Sequence, residues 1–165
     1  MEGHLSLEQR VTRLEDIHAI KRLKYNYWKA CDAKNPASVL QCFSSKEVHI
    51  DYEDFGLFRS AQDMVDKYVT FACHPYLIEV HHGKNEIITL NSSGADGLWS
   101  MNYSLVDEQN DLVINLNGIY QDKYIQESSR WVIKESKFTK IQTFKARNVN
   151  QVLVQAKADR SLGFK

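Results

Sequence analysis

Residues 77–94 read LIEVHHGKNEIITLNSSG, a strand-like run that ends in the turn signal Asn-Ser-Ser-Gly. Three further strand-like segments follow at 95–107, 112–126 and 131–144, with turn signals at 107–111 and 127–129 between them. Consecutive strands joined by short turns pair as antiparallel neighbours. The second half of the chain therefore predicts a four-stranded antiparallel meander.

The first half of the chain predicts helices. Residues 7–31 carry apolar side chains at spacings of mostly three or four, which predicts one long amphipathic helix ending near Asp32, before the Lys34-Asn35-Pro36 turn. Four further elements are expected: a helix at about 37–43, a strand at 48–52, a helix at 60–73 capped by Ser60, and a last amphipathic helix at about 148–158 on Val149, Val152, Leu153 and Ala156.

Helices followed by an antiparallel meander indicate the α+β class. A long helix packed across a curved antiparallel sheet forms a cone-shaped barrel, whose open end is a natural small-molecule pocket. The chain of 165 residues matches a single domain, residues 1–165, with its core at about 7–145. Alternation along the strands places Trp99, Met101 and Tyr103 on one face, which their apolar character favours as the inside of the cone.

Composition disfavours several classes of partner. Lys+Arg and Asp+Glu both number 21, so the formal net charge is zero, whereas a nucleic-acid binder usually has a basic surplus. No apolar run approaches the ~20 residues of a membrane span, and the polar N-terminus lacks a signal-peptide pattern. The three cysteines, Cys31, Cys42 and Cys73, fit neither a disulfide framework nor a zinc spacing. We therefore expect a cytoplasmic protein with no nucleic-acid and no membrane partner.

The order and spacing of four motifs resemble the SnoaL-like (nuclear transport factor 2-like) superfamily. Within this superfamily the motifs resemble those of the bile acid 7α-dehydratases and, less strongly, those of the scytalone dehydratases. The motifs are the opening helix from Leu14 through Tyr27 to Asp32, the run Val80–Ile87, Gly97-Leu98-Trp99, and Gly118–Tyr124 followed by Trp131. The resemblance covers roughly residues 7–145 and implies the cone-shaped barrel of the cystatin/nuclear transport factor 2-like type.

The resemblance also implies a catalytic set. In these relatives a histidine in the cone removes a proton next to a carbonyl group, an aspartate holds the histidine, and a tyrosine hydrogen-bonds the carbonyl or the leaving group. By similarity these roles fall on His81, Asp32 and Tyr27. The residue types suit the chemistry, because histidine titrates near neutral pH and a phenol in a dry pocket donates toward developing oxyanion charge. No cofactor and no metal are expected. His82, adjacent on the strand, points to the opposite face.

Two positions depart from the dehydratase pattern. Tyr103 stands where the dehydratases carry a second aspartate, and Lys140 stands where they carry an arginine. A tyrosine cannot replace a carboxylate base, and a lysine lacks the bidentate fork of arginine. We assign Tyr103 and Lys140, together with Tyr120, Trp99 and Met101, to the wall of the substrate pocket. Lys140 either meets an acidic group of the substrate or is an exposed strand lysine.

Helix geometry does not decide whether Tyr25 or Tyr27 is the tyrosine of the pocket. Tyr27 and Asp32 are five residues apart, or about 140° around an ideal helix, whereas Tyr25 lies seven residues from Asp32 on nearly the same face. Periodicity favours Tyr25, and the resemblance favours Tyr27. Loosening of the helix before Asp32 would bring Tyr27 and Asp32 together.

Two functions of different classes remain. The first is a cofactor-independent, dehydratase-like lyase or isomerase that acts on a largely apolar, polycyclic or similar carbonyl compound by histidine-mediated proton abstraction. The alternative is a non-catalytic small-molecule-binding or scaffold protein of the same fold, which the departures at Tyr103 and Lys140 motivate. Because oligomers are common in this superfamily, a homodimer or homotrimer is expected.

Overall fold

Helix α1 (Leu7–Asp32) is the longest helix of the structure, a computed structural model that describes residues 5–149 and 152–160. A capping box begins the helix, since Ser6 Oγ accepts from the Gln9 backbone N–H at 3.1 Å and the Gln9 side chain accepts from the Ser6 N–H at 2.9 Å. The helix runs unbroken to Asp32, so the loosening considered above does not occur.

Two shorter helices follow at the positions that the sequence predicts. Helix α2 (Pro36–Leu40) begins at its proline, whose fixed φ and missing N–H suit the first turn. Helix α3 (Ala61–Ala72) begins after Ser60, whose side chain accepts from the Asp63 backbone N–H at 3.3 Å.

The strands of the described ranges form one sheet in the order β2-β1-β6-β5-β4-β3, with β7 also paired to β6. Strands β3 to β6 form the antiparallel meander that the sequence predicts. Strand β1 runs parallel to the first half of β6, and β7 runs antiparallel to its second half, both on the edge opposite β5. The bounds are β1 (His49–Asp51), β2 (Leu57–Phe58), β3 (Leu77–Asn91), β4 (Gly94–Asp107), β5 (Leu112–Glu127), β6 (Arg130–Val149) and β7 (Val152–Arg160).

The predicted C-terminal helix at about 148–158 is wrong. Val149 belongs to β6 and Val152–Arg160 forms β7, while residues 150 and 151 lie outside the described ranges. After Val152 and Leu153, the residues Val154, Ala156 and Ala158 alternate with Gln155, Lys157 and Asp159, so the segment fits a period of two as well as a helical period. The long second half of β6 offers unpaired backbone groups, which a strand satisfies and a helix does not.

A close contact between α1 and β3 positions the candidate site. The indole of Trp28 lies on Gly83, where the β-carbon of any other residue would come within 1.8 Å of Trp28 Cζ3. Because glycine has no β-carbon, the last turns of α1 can approach the strand backbone closely. This contact brings Asp32, at the end of α1, onto β3 beside His81.

The inward face of β4 packs against α1 as predicted. Trp99 and Met101 are 0% and 2% exposed, and the ring of Trp99 meets that of Trp28 edge-on at 5.4 Å between centroids. The Trp99 indole N–H donates to the Tyr124 hydroxyl at 2.9 Å, which satisfies the buried donor. None of the helices in the described part of the chain is long and apolar enough to cross a membrane.

Candidate active site

A cavity of about 370 Å³ lies among α1, α3 and the inner face of the sheet. Most of its wall is apolar, and Met64, Leu105, Leu116 and Phe138 contribute to it. Six residues singled out from the sequence also line it: Tyr27, His81, Met101, Tyr103, Tyr120 and Lys140. A cavity of this size and character suits one small, largely apolar molecule.

Asp32 and His81 form a hydrogen-bonded pair at the edge of this cavity. His81 Nδ1 lies 2.6 Å from Asp32 Oδ1, and the His81 backbone N–H also donates to Oδ1 and Oδ2, at 3.1 and 3.2 Å. Since a carboxylate only accepts, Nδ1 carries the ring proton and Nε2 is the nitrogen able to take a proton from a ligand. The side chain of His81 is 13% exposed and that of Asp32 is 29% exposed, so the carboxylate lies on the solvent side of the imidazole.

The structure distinguishes the two candidate tyrosines on α1. Tyr27 is 4% exposed and lines the cavity, whereas Tyr25 is 45% exposed and does not. Tyr27 and Asp32 can serve the same site although they lie at a large angle to each other around the helix. Asp32 contacts the cavity through His81 and need not share a helix face with Tyr27.

Trp99 does not line the cavity, contrary to its assignment from the sequence. It lies on the predicted inward face of β4, but Tyr25, Trp28 and Tyr124 surround its ring. Alternation along a strand gives the face of a residue and not its depth, so Trp99 belongs to the packed core beside the cavity.

Glu79 is a cavity carboxylate that the sequence analysis missed. Its side chain is only 9% exposed, and its Oε1 accepts from the Tyr103 hydroxyl at 2.7 Å while its Oε2 accepts from Lys34 Nζ at 3.3 Å. Burial, and then the Glu79 charge, raise the pKa of Tyr103. The available signal was its spacing, because Glu79 precedes His81 by two residues and so shares its strand face.

A chain of hydroxyl groups leads from the cavity wall into the core. Tyr27 Oη lies 3.2 Å from Tyr52 Oη, the Tyr52 hydroxyl donates to Ser136 Oγ at 3.1 Å, and Ser136 donates to Asp122 Oδ1 at 2.6 Å. Burial is the main cause that raises the pKa of both Tyr27 and Tyr52. Both phenols therefore stay protonated under ordinary conditions, and no sequence signal marked Tyr52 or Ser136.

The chain of hydroxyl groups ends at a fully buried ion pair between Lys24 and Asp122. Lys24 Nζ lies 2.7 Å from Asp122 Oδ2, and both side chains are 0% exposed. Desolvation lowers the pKa of Lys24, while Asp122 favours its charged form. The sequence held a signal here, because Lys24 lies on the buried stripe of α1 with Ile20, Tyr27 and Cys31.

Lys140 is paired with acidic residues of the segment after β1. Its ammonium forms an ion pair with Asp54 and lies 3.6 Å from Glu53 Oε2, and its backbone N–H donates to Glu53 Oε1 at 3.2 Å. The Asp54 carboxylate raises the pKa of Lys140. The charge of Lys140 is therefore balanced within the protein. No group of three or more His, Cys, Asp or Glu residues in the described ranges is arranged to hold a metal ion.

Comparison with models of protein families identifies one family that matches most of the chain. Residues 12–137 match the SnoaL-like domain family. The chain belongs to this family. The match covers most of α1, the two shorter helices and most of the meander of this SnoaL-like protein, and it confirms the resemblance to the SnoaL-like superfamily inferred from the sequence motifs.

Solved structures with the same fold share little sequence with this SnoaL-like protein. A candidate scytalone dehydratase from Novosphingobium aromaticivorans is 16% identical, with a TM-score of 0.76 over 94% of this chain and 99% of that chain. A hexachlorocyclohexane dehydrochlorinase, LinA type 2, is 13% identical, with a TM-score of 0.73 over 94% and 97% of the two chains. A candidate aromatic ring hydroxylase from N. aromaticivorans is 17% identical, with a TM-score of 0.69 over 88% and 94%. These likenesses confirm the cone-shaped α+β fold.

Proposed function

We propose that this SnoaL-like protein is a cofactor-independent, dehydratase-like lyase or isomerase in which His81 removes a proton from a largely apolar carbonyl compound. One observation carries the proposal: the 2.6 Å contact between His81 Nδ1 and Asp32 Oδ1, with His81 in the wall of an apolar cavity of about 370 Å³. Membership of the SnoaL-like family supports the same reaction class, as do the titles of two structures that share the fold of this chain, a candidate dehydratase and a dehydrochlorinase.

The pair of residues fits the role of a general base. With its Nδ1 proton held by Asp32, His81 accepts the ligand proton at Nε2, and the Asp32 carboxylate stabilises the imidazolium that forms. In a water elimination, the electrons of the broken C–H bond form a C=C bond as hydroxide leaves. The imidazolium then returns its proton to the hydroxide as water, which restores the neutral histidine.

Charge around the cavity favours a neutral ligand over an anionic one. Two lysines at the cavity, Lys34 and Lys140, are each paired with carboxylates, Lys34 with Glu79 and Lys140 with Asp54 and Glu53. A ligand carboxylate would therefore compete with carboxylates of the protein for each cation. This argues against the acidic substrate group considered for Lys140, and it favours a neutral carbonyl compound.

A hydrogen-exchange experiment tests the proposal without knowledge of the natural substrate. 2-Tetralone, a bicyclic ketone, is incubated with the protein in heavy water, and exchange of the hydrogens next to its carbonyl is followed by NMR. We expect exchange above the buffer rate, a loss of about 10²-fold or more in Asp32→Asn, and the buffer rate in His81→Asn.

The exposed neighbour His82 provides the matched control, because it points away from the cavity on the same strand. His82→Asn should retain the wild-type rate. Wild-type exchange in His81→Asn would contradict the proposal. If the wild-type protein bound the ketone and left exchange at the buffer rate, the non-catalytic binding function would take its place.

A further inference from the structure

The direction of each hydrogen bond around Asp122 can be assigned from its chemistry. An ionised carboxylate has only acceptor sites. Asp122 is ion-paired with Lys24 Nζ at 2.7 Å, and it accepts from the Tyr124 hydroxyl at 2.7 Å and the Ser136 hydroxyl at 2.6 Å. The Trp99 indole N–H can only donate, so it donates to the Tyr124 oxygen, and the single hydrogen of Tyr124 is directed to Asp122.

This assignment propagates along the hydroxyl chain to the cavity. A hydroxyl group has one hydrogen, and that of Ser136 is committed to Asp122. Ser136 must then accept from Tyr52, which commits the single hydrogen of Tyr52. In the 3.2 Å contact between Tyr27 and Tyr52, Tyr27 is therefore the donor, and its hydroxyl keeps only acceptor capacity for a ligand.

Two further tyrosines of the wall direct their hydrogens into the protein. Tyr68 donates to the Cys31 carbonyl at 2.8 Å, and Tyr103 donates to Glu79 at 2.7 Å. With Tyr27 and Tyr52, four of the five tyrosines that line the cavity have engaged hydrogens. The fifth, Tyr120, lies with its ring 3.8 Å from Lys24 Nζ.

We propose that the cavity binds a ligand that carries a hydroxyl group and that this hydroxyl donates to the Tyr27 oxygen. The ligand class is a neutral, largely apolar phenol, enol or alcohol. This polarity is opposite to the role that the resemblance implies for Tyr27, a phenol that donates to a developing oxyanion. Ser136 and Asp122 are positioning residues, because they set the direction of the Tyr27 hydrogen without lining the cavity. The inference rests on the proposed function only in placing the ligand in the same cavity.

For Tyr27 to donate to a ligand instead, it would have to release Tyr52. That would leave the Tyr52 oxygen, buried and 9% exposed as a residue, without the bond it now accepts. Removing one partner of a buried hydrogen bond costs about 1–3 kcal/mol. In the unliganded protein the chain of hydroxyl groups therefore keeps the Tyr27 hydrogen on Tyr52, and Tyr27 can only accept a hydrogen bond from a ligand.

The test uses 4-nitrophenol, whose neutral and ionised forms absorb at different wavelengths. At a pH equal to its own pKa both forms are equally abundant, and a titration with protein shows which form is bound. We expect the wild-type protein to bind the neutral phenol. Preferential binding of the phenolate, or no binding of either form, would overturn the inference.

The charges around the cavity also disfavour a phenolate. The variant Ser136→Ala separates their effect on the binding preference from the effect of the Tyr27 hydrogen. It leaves every charge in place and frees the Tyr52 hydrogen to turn toward Tyr27, which can then donate to the ligand. We expect the preference for neutral phenol to fall by about tenfold, the equivalent of one hydrogen bond. An unchanged preference in folded Ser136→Ala would overturn the assignment.

Tyr52→Phe offers a second route to the same result, since it removes the acceptor of Tyr27 outright. Tyr25→Phe is the control, because Tyr25 is exposed on the same helix and should leave the preference unchanged. The measurement involves no turnover. A failure here leaves the proton-abstraction proposal standing, and a failure of ketone exchange leaves this inference standing.

Discussion

The Lys24 ammonium lies 3.8 Å from the centroid of the Tyr120 ring, so one wall of the cavity rests directly on the buried Lys24–Asp122 ion pair. A cation over an aromatic face is attracted by the ring quadrupole, most strongly where water is excluded. Packing at this point therefore connects the stability of the core with the shape of the cavity.

Replacement of Lys24 by methionine should destabilise the protein strongly. Methionine is similar in length but leaves Asp122 buried without its counter-charge, which costs about 3–5 kcal/mol in comparable cases. Urea unfolding measures the change. The control is Lys21→Met, which removes the more exposed Lys21–Glu86 pair and should cost about 0–1 kcal/mol. Equal effects of the two substitutions would contradict the importance of the buried pair.

Gly83→Ala should weaken both the fold and the candidate site. The new methyl group would meet the Trp28 ring, and overpacking of this kind costs about 1–3 kcal/mol. Relief of the contact moves α1 away from β3, which lengthens the Asp32–His81 bond and slows ketone exchange. Lys84→Ala, at the exposed neighbouring position, should change neither thermal stability nor exchange. Wild-type stability and exchange in Gly83→Ala would show that the contact is not needed.

Lys140→Met should change the affinity for neutral ligands by less than about threefold, because the lysine charge is already paired with the exposed Asp54 and the partly buried Glu53. Calorimetric titration with 2-naphthol and 2-naphthoate compares a neutral with an anionic bicyclic ligand. We expect 2-naphthol to bind more tightly to both proteins. Tighter binding of 2-naphthoate, lost in Lys140→Met, would restore the acidic-substrate interpretation of this residue.

The Cys42 thiol should make stability decrease at alkaline pH. Burial raises its pKa from 9.0 to about 11, so the folded state favours the neutral thiol. Its contribution is complete below pH 9 and is lost as the pH rises toward 11, up to about 3 kcal/mol for two pKa units. Urea unfolding at several pH values should show a steeper decline for the wild type than for Cys42→Ala. Parallel declines would contradict this origin.

The sequence was sufficient for most of the fold because its signals are long and regular. The apolar spacing of α1 and the turn signals between β3 and β6 each extend over many residues. The prediction of a C-terminal helix failed because the apolar residues of that segment suit both a helical period and the strand period of two. Only the unpaired edge of β6 decides between the two periods. That edge is a tertiary feature which a local pattern does not contain.

The candidate site was predictable only in part. Family spacing gave Tyr27, Asp32 and His81, which the fold places around one cavity edge. Glu79 and Lys24 carried usable signals, a shared strand face and a charge on a buried helix stripe. Tyr52 and Ser136 carried none, because their contact depends on how β1 pairs with β6.

The position of His81 on a single wall has a stereochemical consequence. The imidazole reaches the cavity from β3, while the Tyr27–Tyr52 hydroxyl chain lies on α1 and the segment after β1. Any hydrogen that His81 removes must come from the ligand face turned toward β3, and a proton that it returns arrives on that same face. A prochiral CH₂ group would then exchange one of its two hydrogens, and a water elimination would proceed with syn geometry.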